Sequence, residues 1–168
     1  MNIRIAGFVN DSIVDGPGLR FAVFTQGCLH NCPGCHNPET HGVNGGREED
    51  VETLIVKMKQ NPLLSGLTLS GGDPMLQPVP CLTLAKAAHA AFLNVWTYTG
   101  YTWEQLMQRQ NADEMALIRE TDVLVDGPFI LAQRSLELDW CGSKNQRLID
   151  VKKSLAAGNV VLWTPPEW

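Results

Sequence analysis

RFAVFTQGCLHNCPGCHNPE, residues 20–39, runs from a short apolar segment straight into three closely spaced cysteines. Its first seven residues are rich in β-branched and aromatic side chains, which favours a strand. Cys28, Cys32 and Cys35 follow within eight positions, in a segment that glycine and proline interrupt. The stretch therefore predicts a strand that ends in a cysteine-bearing loop.

Outward from this stretch, apolar runs alternate with helical patterns, which is the order of an α/β fold. An amphipathic helix is predicted at residues 48–60, where apolar residues recur every three or four positions. Other helices are predicted at residues 79–91 and on either side of Asn111, which can cap the second segment through Glu114. The remaining predictions are strands at residues 66–72, 93–100, 121–127, 147–151 and 158–163 and a helix at residues 130–140.

Composition limits the classes of function that are open to the chain. With 168 residues, 44% of them hydrophobic, the sequence suits one domain spanning residues 1–168. A net charge of -5 offers no basic surface for nucleic acid or anionic lipid. No apolar segment is long enough for a signal peptide or a membrane span, so we expect a cytoplasmic protein. In that reducing compartment, five cysteines, an odd number, argue against a disulfide framework and for metal binding, catalysis or burial.

Unusual residues follow each of the four main predicted strands. Strands joined by crossover helices lie parallel, so the loops that leave their carboxyl ends open on one edge of the sheet. Here those loops are the cysteine loop, residues 27–36, and the segments SGGDP, TYTGY and VDGPF. We therefore expect an active site at this edge, where α/β sheets and barrels usually build theirs.

The three cysteines fit two kinds of metal site. A four-iron, four-sulfur cluster held by only three thiolates keeps one iron open to a reacting ligand. A structural zinc site would instead take a histidine as its fourth ligand, for which His30, His36 and His41 are candidates. The spacing favours the cluster, because structural zinc more often uses two separated ligand pairs, but the zinc alternative stays open.

Residues 70–73, SGGD, form the second candidate site. Two consecutive glycines after a strand let the backbone approach a ligand closely, and Asp73 can reach an amino group or a ribose hydroxyl. The same residues also suit an ordinary turn that caps the next helix. The cysteine loop on the adjoining strand end favours the functional interpretation.

Six segments, VDGPGLRF, GCLHNCPGCHNPE, LSGGDP, YTGY, VLVDGPF and GSKNQR, extend from Val14 to Arg147. Together they resemble the radical S-adenosylmethionine (SAM) superfamily, and within it the small glycyl radical activating enzymes of anaerobic ribonucleoside-triphosphate reductase. The chain departs from that pattern at Gly34, His36, Pro128 and Cys141. At these positions the similar enzymes more often carry an aromatic residue, a tyrosine and two basic residues, respectively.

The resemblance implies an iron-sulfur cofactor with SAM bound to it. Cys28, Cys32 and Cys35 would each bind one iron of a four-iron, four-sulfur cluster, and the fourth iron would bind the amino and carboxylate groups of SAM. Gly71, Gly72 and Asp73 would contact the methionyl amino group. The adenine would meet the backbone beside the last cysteine, formed by Gly34, Cys35 and His36. No catalytic residue is implied beyond the cluster ligands.

The reaction implied is reductive cleavage of SAM to methionine and a 5'-deoxyadenosyl radical, which removes a Cα hydrogen from a glycine of the reductase. The implied partners are the catalytic subunit of that reductase and a reduced flavodoxin-like electron donor. Three alternatives remain: a radical SAM enzyme acting on a small molecule, of the 7-carboxy-7-deazaguanine synthase type; an activase of another glycyl radical enzyme; and a zinc-binding module without catalysis.

The implied fold is an incomplete TIM-like barrel. Because the chain is well short of the ~250 residues of a full eight-stranded barrel, we expect a curved, mostly parallel sheet of about five or six strands with outer helices. Its open side would admit a glycine-bearing loop of another protein. Cys81 is expected to pack in a helix and Cys141 to be inert. Roles at the site are left open for Asp15, Arg20, Asp126 and Arg147.

Overall fold

The computed structural model describes residues 1–30, 32–35 and 38–165. Within them, seven strands form one sheet in the order β3-β1-β2-β4-β5-β6-β7. The strands are β1 (Asn2–Ser12), β2 (Arg20–Thr25), β3 (Arg47–Asp50), β4 (Gly66–Gly71), β5 (Asn94–Tyr98), β6 (Val123–Asp126) and β7 (Arg147–Asp150). The helices are α1 (Val51–Lys59), α2 (Pro78–Ala90), α3 (Trp103–Arg109), α4 (Ala112–Arg119) and α5 (Val151–Ala157).

The four central strands, β2, β4, β5 and β6, are parallel neighbours. β1 pairs antiparallel with β2 and β3 on one side, and β7 pairs antiparallel with β6 on the other. Because β3 and β7 lie at opposite ends of the strand order, the described sheet is open. The predicted α/β class is confirmed. The sheet has seven strands instead of about five or six, because β1 and β3 add an antiparallel flank to the parallel core.

Side-chain caps set where the helices begin. Four helices start after a residue whose side-chain oxygen accepts a backbone N–H of the first turn: Asp50, Thr102, Asn111 and Asp150. Asn111 accepts from two such amides, so the predicted cap of α4 is confirmed. No helix in the described ranges has both the length and the apolar character that crossing a bilayer requires.

The two faces of the sheet have different surroundings. One face packs against the helices and forms the main core, in which strand residues such as Phe21, Leu69 and Leu124 meet Leu54, Leu84 and Leu117. On the other face, Trp96, Val123 and Val125 form a smaller cluster with Trp140 and Trp163. Because alternate residues of a strand point to opposite faces, each central strand contributes to both.

The prediction of a helix at residues 130–140 is wrong. Only Leu131–Gln133 forms a short 3₁₀ segment. Beyond it, the backbone of Ser135 bonds to Gly142, and Arg134 forms an isolated bridge with Ser143. These contacts place the segment along the loop that precedes β7, so its amides are used in pairing across the loop and not within a helix.

The predicted strand at residues 158–163 is also wrong, whereas the one at residues 147–151 is confirmed as β7. The final segment makes a single isolated bridge, from Leu162 to Ile149 of β7. Two further backbone bonds, Asp150 N to Val161 O and Trp163 N to Leu148 O, fasten it beside β7 without a regular ladder.

Candidate functional site

A cavity of about 1030 Å³ lies where the loops after the parallel strands meet. The cysteine loop, the end of β4, the segment after β5 and Gly127 after β6 all line it. The expected convergence of these loops on one edge is therefore confirmed. Phe24, Leu136, Trp140 and Gln146 also line the cavity.

Cys28, Cys32 and Cys35 all line this cavity and are partly exposed. The loop that carries them is anchored at its base, because the amides of Gly27 and Cys28 donate to Thr40 O (2.6 Å) and His41 O (3.2 Å). Within the loop, Cys35 N donates to Cys32 O at 3.2 Å. His36, one of the three residues predicted to meet the adenine, lies outside the described residues.

The three cysteine thiols at the cavity fit an iron-sulfur cluster. Thiolates are the ligands that such clusters take from proteins, and all three thiols line one cavity. Among the described residues, no group of three His, Cys, Asp or Glu side chains is close enough together to hold a metal ion. A cluster binds each thiolate through a different iron, so its ligands lie farther apart than ligands that share one ion.

The two glycines of the SGGD turn allow the protein backbone to pack closely at this point. A Cβ on Gly71, whose φ is +100°, would lie 2.4 Å from Thr25 N, and a Cβ on Gly72 would lie 2.2 Å from Gly27 O. The sequence predicted close approach to a ligand, and the structure shows close approach to β2 and to the base of the cysteine loop. Both glycines also line the cavity, so their predicted contact with SAM stays a prediction.

Asp73 is buried and accepts several hydrogen bonds. It caps the 3₁₀ segment Pro74–Leu76 by accepting from Met75 N at 2.9 Å, whereas the next helix, α2, begins after Gln77, which makes no side-chain cap. Its Oδ2 also accepts from His30 Nε2 at 2.6 Å and from Thr99 Oγ1 and Gly100 N at 3.0 Å each. The predicted contact of Asp73 with the methionyl amino group stays a prediction.

His30 makes contacts that the sequence did not predict. It was considered only as a zinc ligand, and in the structure its ring bonds to Asp73 and packs edge-on against Tyr101, with ring centroids 4.6 Å apart. No local pattern signals this contact, because its partner lies 43 residues along the chain. Gly34 lies in the same loop but is not among the residues that line the cavity, and its predicted contact with the adenine stays a prediction.

Asp126, which is buried, and Arg147, which is partly exposed, form an ion pair and are not among the residues that line the cavity. Asp126 accepts from Trp103 N at the start of α3 and from two nitrogens of Arg147, which also bonds to Glu104. The hydrogen bonds to Asp126 and Glu104 raise the pKa of Arg147, and the bond from Arg147 lowers the pKa of the Glu104 carboxyl. The network fixes the VDGPF loop against α3 and β7.

The two remaining cysteines differ in position. Cys81 is fully buried in α2, as predicted, and burial raises the pKa of its thiol. Cys141 lines the cavity, where burial and the charge of Asp126 raise the pKa of its thiol to about 11. A thiol with so high a pKa stays protonated at neutral pH, which agrees with the inert role expected for it.

Arg20 and Asp15 shape the N-terminal turn. Arg20 is fully buried, and its guanidinium donates to Pro17 O, Thr68 Oγ1 and Asn94 Oδ1. Burial lowers the pKa of Arg20 to about 10, so the group stays charged at neutral pH. Asp15 accepts a hydrogen bond from Ser12, its backbone carbonyl accepts one from Thr68 Oγ1, and it lines the same cavity as the three cysteines.

Comparison with known families gives one match across most of the chain. Residues 14–149 match the family described as a 4Fe-4S single cluster domain. The match includes the cysteine loop, the SGGD turn and the loops after β5 and β6. It agrees with the iron-sulfur chemistry that the thiols at the cavity suit.

Curated relatives are similar over nearly the same region. The anaerobic ribonucleoside-triphosphate reductase-activating proteins of Salmonella typhi and Escherichia coli K12 are each 38% identical over 142 residues, covering 80% of this chain and 90% of each relative. The pyruvate formate-lyase 1-activating enzyme of Escherichia coli K12 is 32% identical over 175 residues, covering 95% of this chain and 65% of that enzyme.

Among solved structures, the crystal structure of QueE from Escherichia coli superposes with a TM-score of 0.47 and 14% identity. The superposition covers 61% of this chain and 54% of that one.

Proposed function

The chain belongs to the family of anaerobic ribonucleoside-triphosphate reductase-activating proteins, and on that premise we propose that it installs a glycyl radical in such a reductase by using SAM and a four-iron, four-sulfur cluster. The observation that carries this proposal is the shared cavity. Three thiols and a double-glycine turn line the same space, which is as large as the pockets that hold small-molecule cofactors.

The residues at the cavity divide the work of holding the two cofactors. Cys28, Cys32 and Cys35 would each bind one iron, which leaves the fourth iron for the amino and carboxylate groups of SAM. When bound, the cofactors supply the chemistry: one electron from the reduced cluster cleaves SAM to methionine and a 5'-deoxyadenosyl radical, which takes a Cα hydrogen from a glycine of the reductase. The protein positions these groups and excludes water from them.

Two stretches of backbone would orient SAM. The Gly71–Gly72–Asp73 turn would take the methionyl amino group, since both glycines border the cavity and present no side chain to obstruct it. The segment of Gly34, Cys35 and His36 would meet the adenine. Cys35 supports this assignment, because it lines the cavity in which SAM would lie.

The partners and location follow from the same proposal. The glycine-bearing loop of the reductase would enter the cavity, and a reduced flavodoxin-like protein would supply the electron. We propose a cytoplasmic location, because a reducing compartment keeps the three cluster thiols available as ligands.

Anaerobic reconstitution of the purified protein tests the proposal. We expect iron and sulfide near four of each per chain, a paramagnetic signal from the reduced cluster that changes on adding SAM, and release of 5'-deoxyadenosine. Cys32→Ser should lose the cluster, whereas Cys141→Ser should retain it as a matched control. Zinc without sulfide in anaerobically purified protein would contradict the proposal and favour the zinc-binding module.

The choice of partner needs a second measurement. With the anaerobic reductase present, we expect a new organic doublet from its glycyl radical. The similarity to the pyruvate formate-lyase 1-activating enzyme makes that lyase the one alternative protein substrate worth including. A doublet with the lyase and none with the reductase would reassign the partner and leave the cofactor chemistry intact.

A further inference from the structure

The contacts of Asp73 reveal a link between the cysteine loop and the turn that follows β4. We propose that His30 and Asp73 form a positioning pair, which holds the cysteine loop at a fixed place against this turn. Its consequence for SAM rests on the proposed function, whereas the link itself is a property of the folded chain.

The Asp73 carboxylate joins three separate pieces of backbone. It is 1% exposed and accepts from its own turn through Met75 N, from the segment after β5 through Thr99 and Gly100, and from the cysteine loop through His30. Three of these four donors converge on Oδ2 and Met75 N reaches Oδ1, so both oxygens of the carboxylate are engaged within the protein. Asp73 therefore acts through its neighbours, as a positioning residue for the turn.

The ring of His30 packs closely between Gly100 and Tyr101. A Cβ on Gly100 would lie 2.3 Å from His30 Cδ2, so only glycine leaves space for the imidazole at that position. On another side, the ring meets Tyr101 edge-on, and Tyr101 is in turn covered by the Arg109 guanidinium at 4.6 Å. The ring is mostly buried, with 16% of the side chain exposed.

The position of His30 in the sequence gives the pair its effect on the loop. His30 lies between Cys28 and Cys32, so the bond to Asp73 holds the part of the loop that connects these two thiols. The base of the loop is held separately by the bond from Asp73 N to Gly27 O at 2.8 Å. Asp73 thus fixes the loop at two points, once through its backbone and once through its side chain.

A fixed distance between loop and turn matters for a ligand that must contact both. SAM would bind the loop through the cluster and the turn through its amino group. Loosening the loop would therefore weaken SAM binding more than it weakens cluster binding, because the three thiols remain in place. Mutating a residue that orients the ligands of a metal centre without binding the metal itself typically costs about 10- to 100-fold in metal affinity or activity.

Hydrogen exchange on the full chain, purified without air, tests the link directly. In His30→Ala, which loses one hydrogen bond to a carboxylate, we expect the amides of Cys28 and Gly100 to exchange about tenfold faster, whereas His30→Gln, which keeps a side-chain N–H donor, should restore much of the protection. His89→Ala is the matched control, since His89 is also partly buried and bonded to carboxylates but lies at the other end of the sheet. Unchanged exchange in His30→Ala would overturn the pair.

Kinetics of SAM cleavage test its consequence. We expect the KM for SAM to rise about tenfold in His30→Ala with a much smaller change in kcat, and to return towards the wild-type value in His30→Gln. The iron content should stay close to that of the wild type, and the SAM-induced change in the cluster spectrum should require more SAM. Faster exchange together with an unchanged KM would refute the effect on SAM. If the wild type cleaves no SAM, the proposed function fails and the exchange measurement alone decides on the pair.

Discussion

Gly72 shows how one residue can serve both the fold and the site. Its missing side chain lets the turn after β4 lie directly on the base of the cysteine loop, where Gly72 N donates to Thr25 O at 2.8 Å. A Cβ there would meet both Gly27 O, at 2.2 Å, and Thr40 O, at 2.8 Å. Both atoms belong to backbone, so neither can move aside without displacing the loop.

Gly72→Ala is therefore expected to lower the free energy of unfolding by about 1 to 3 kcal/mol, the usual cost of overpacking. Urea unfolding measures this change, and iron content after reconstitution reports whether the cysteine loop is displaced. Gly7→Ala is the control, because a Cβ on Gly7 has no neighbour within 4 Å. Equal stability of the two variants would contradict the packing argument.

At the scale of elements, His89 joins the end of α2 to the segment between α4 and β6. Its two ring nitrogens bond to Glu120 and Asp122 at 2.8 Å each. Asp122 also accepts from Val95 N at the start of β5. Partial burial lowers the pKa of His89, but the hydrogen bonds to Asp122 and Glu120 outweigh it and raise the pKa above the ordinary value of 6.5.

This shift predicts how the stability of the junction depends on pH. Because the pKa is higher in the folded protein, the contribution of His89 is fully present below about pH 6.5 and is lost as the pH rises through the raised folded value. Urea unfolding of the wild type and His89→Gln should show a larger difference near pH 6 than near pH 9. A difference that grows with pH would show that the sign is wrong.

The sequence predicted those elements whose signals are local. The apolar period of α1 and the Asn111 cap of α4 are set by residues within a few positions of each other, and both are present. β3 was missed because its four residues, REED, are charged and mostly exposed, and they become a strand only by pairing with β1. The helix expected at residues 130–140 failed for the same reason, since cross-loop pairing overrides its local preference.

The same distinction applies to the site. Parallel strand order was enough to predict that the cysteine loop and the SGGD turn meet at one edge. It was not enough to predict the bond between His30 and Asp73, which depends on strand register and on the absence of a side chain at Gly100. The sequence was therefore enough to predict which loops meet, whereas the structure was needed to show which contacts hold them together.

At the scale of the whole molecule, the two faces of the sheet have separate tasks. The helical face holds the main core, and the opposite face encloses the cavity. Three tryptophans support the cavity face: Trp96 lies 5.3 Å from Trp140 and 5.1 Å from Trp163, all with edge-to-face geometry. Trp163 brings the last described segment into this cluster, so that segment packs against Trp140, which lines the cavity.

The proposal that a loop of the reductase enters the cavity predicts that a charge at the cavity rim will hinder glycyl radical formation. Leu136 lines the cavity yet is 83% exposed, so a charge placed there meets an incoming protein loop before it meets SAM. For Leu136→Glu we expect fewer glycyl radicals formed per 5'-deoxyadenosine released, because burying an unpaired carboxylate against the docked loop is costly. Phe92→Glu is the control, since Phe92 is 97% exposed but precedes β5 at the opposite end of the sheet. An unchanged ratio in Leu136→Glu, measured by spin counting and product analysis, would place the path of the reductase elsewhere.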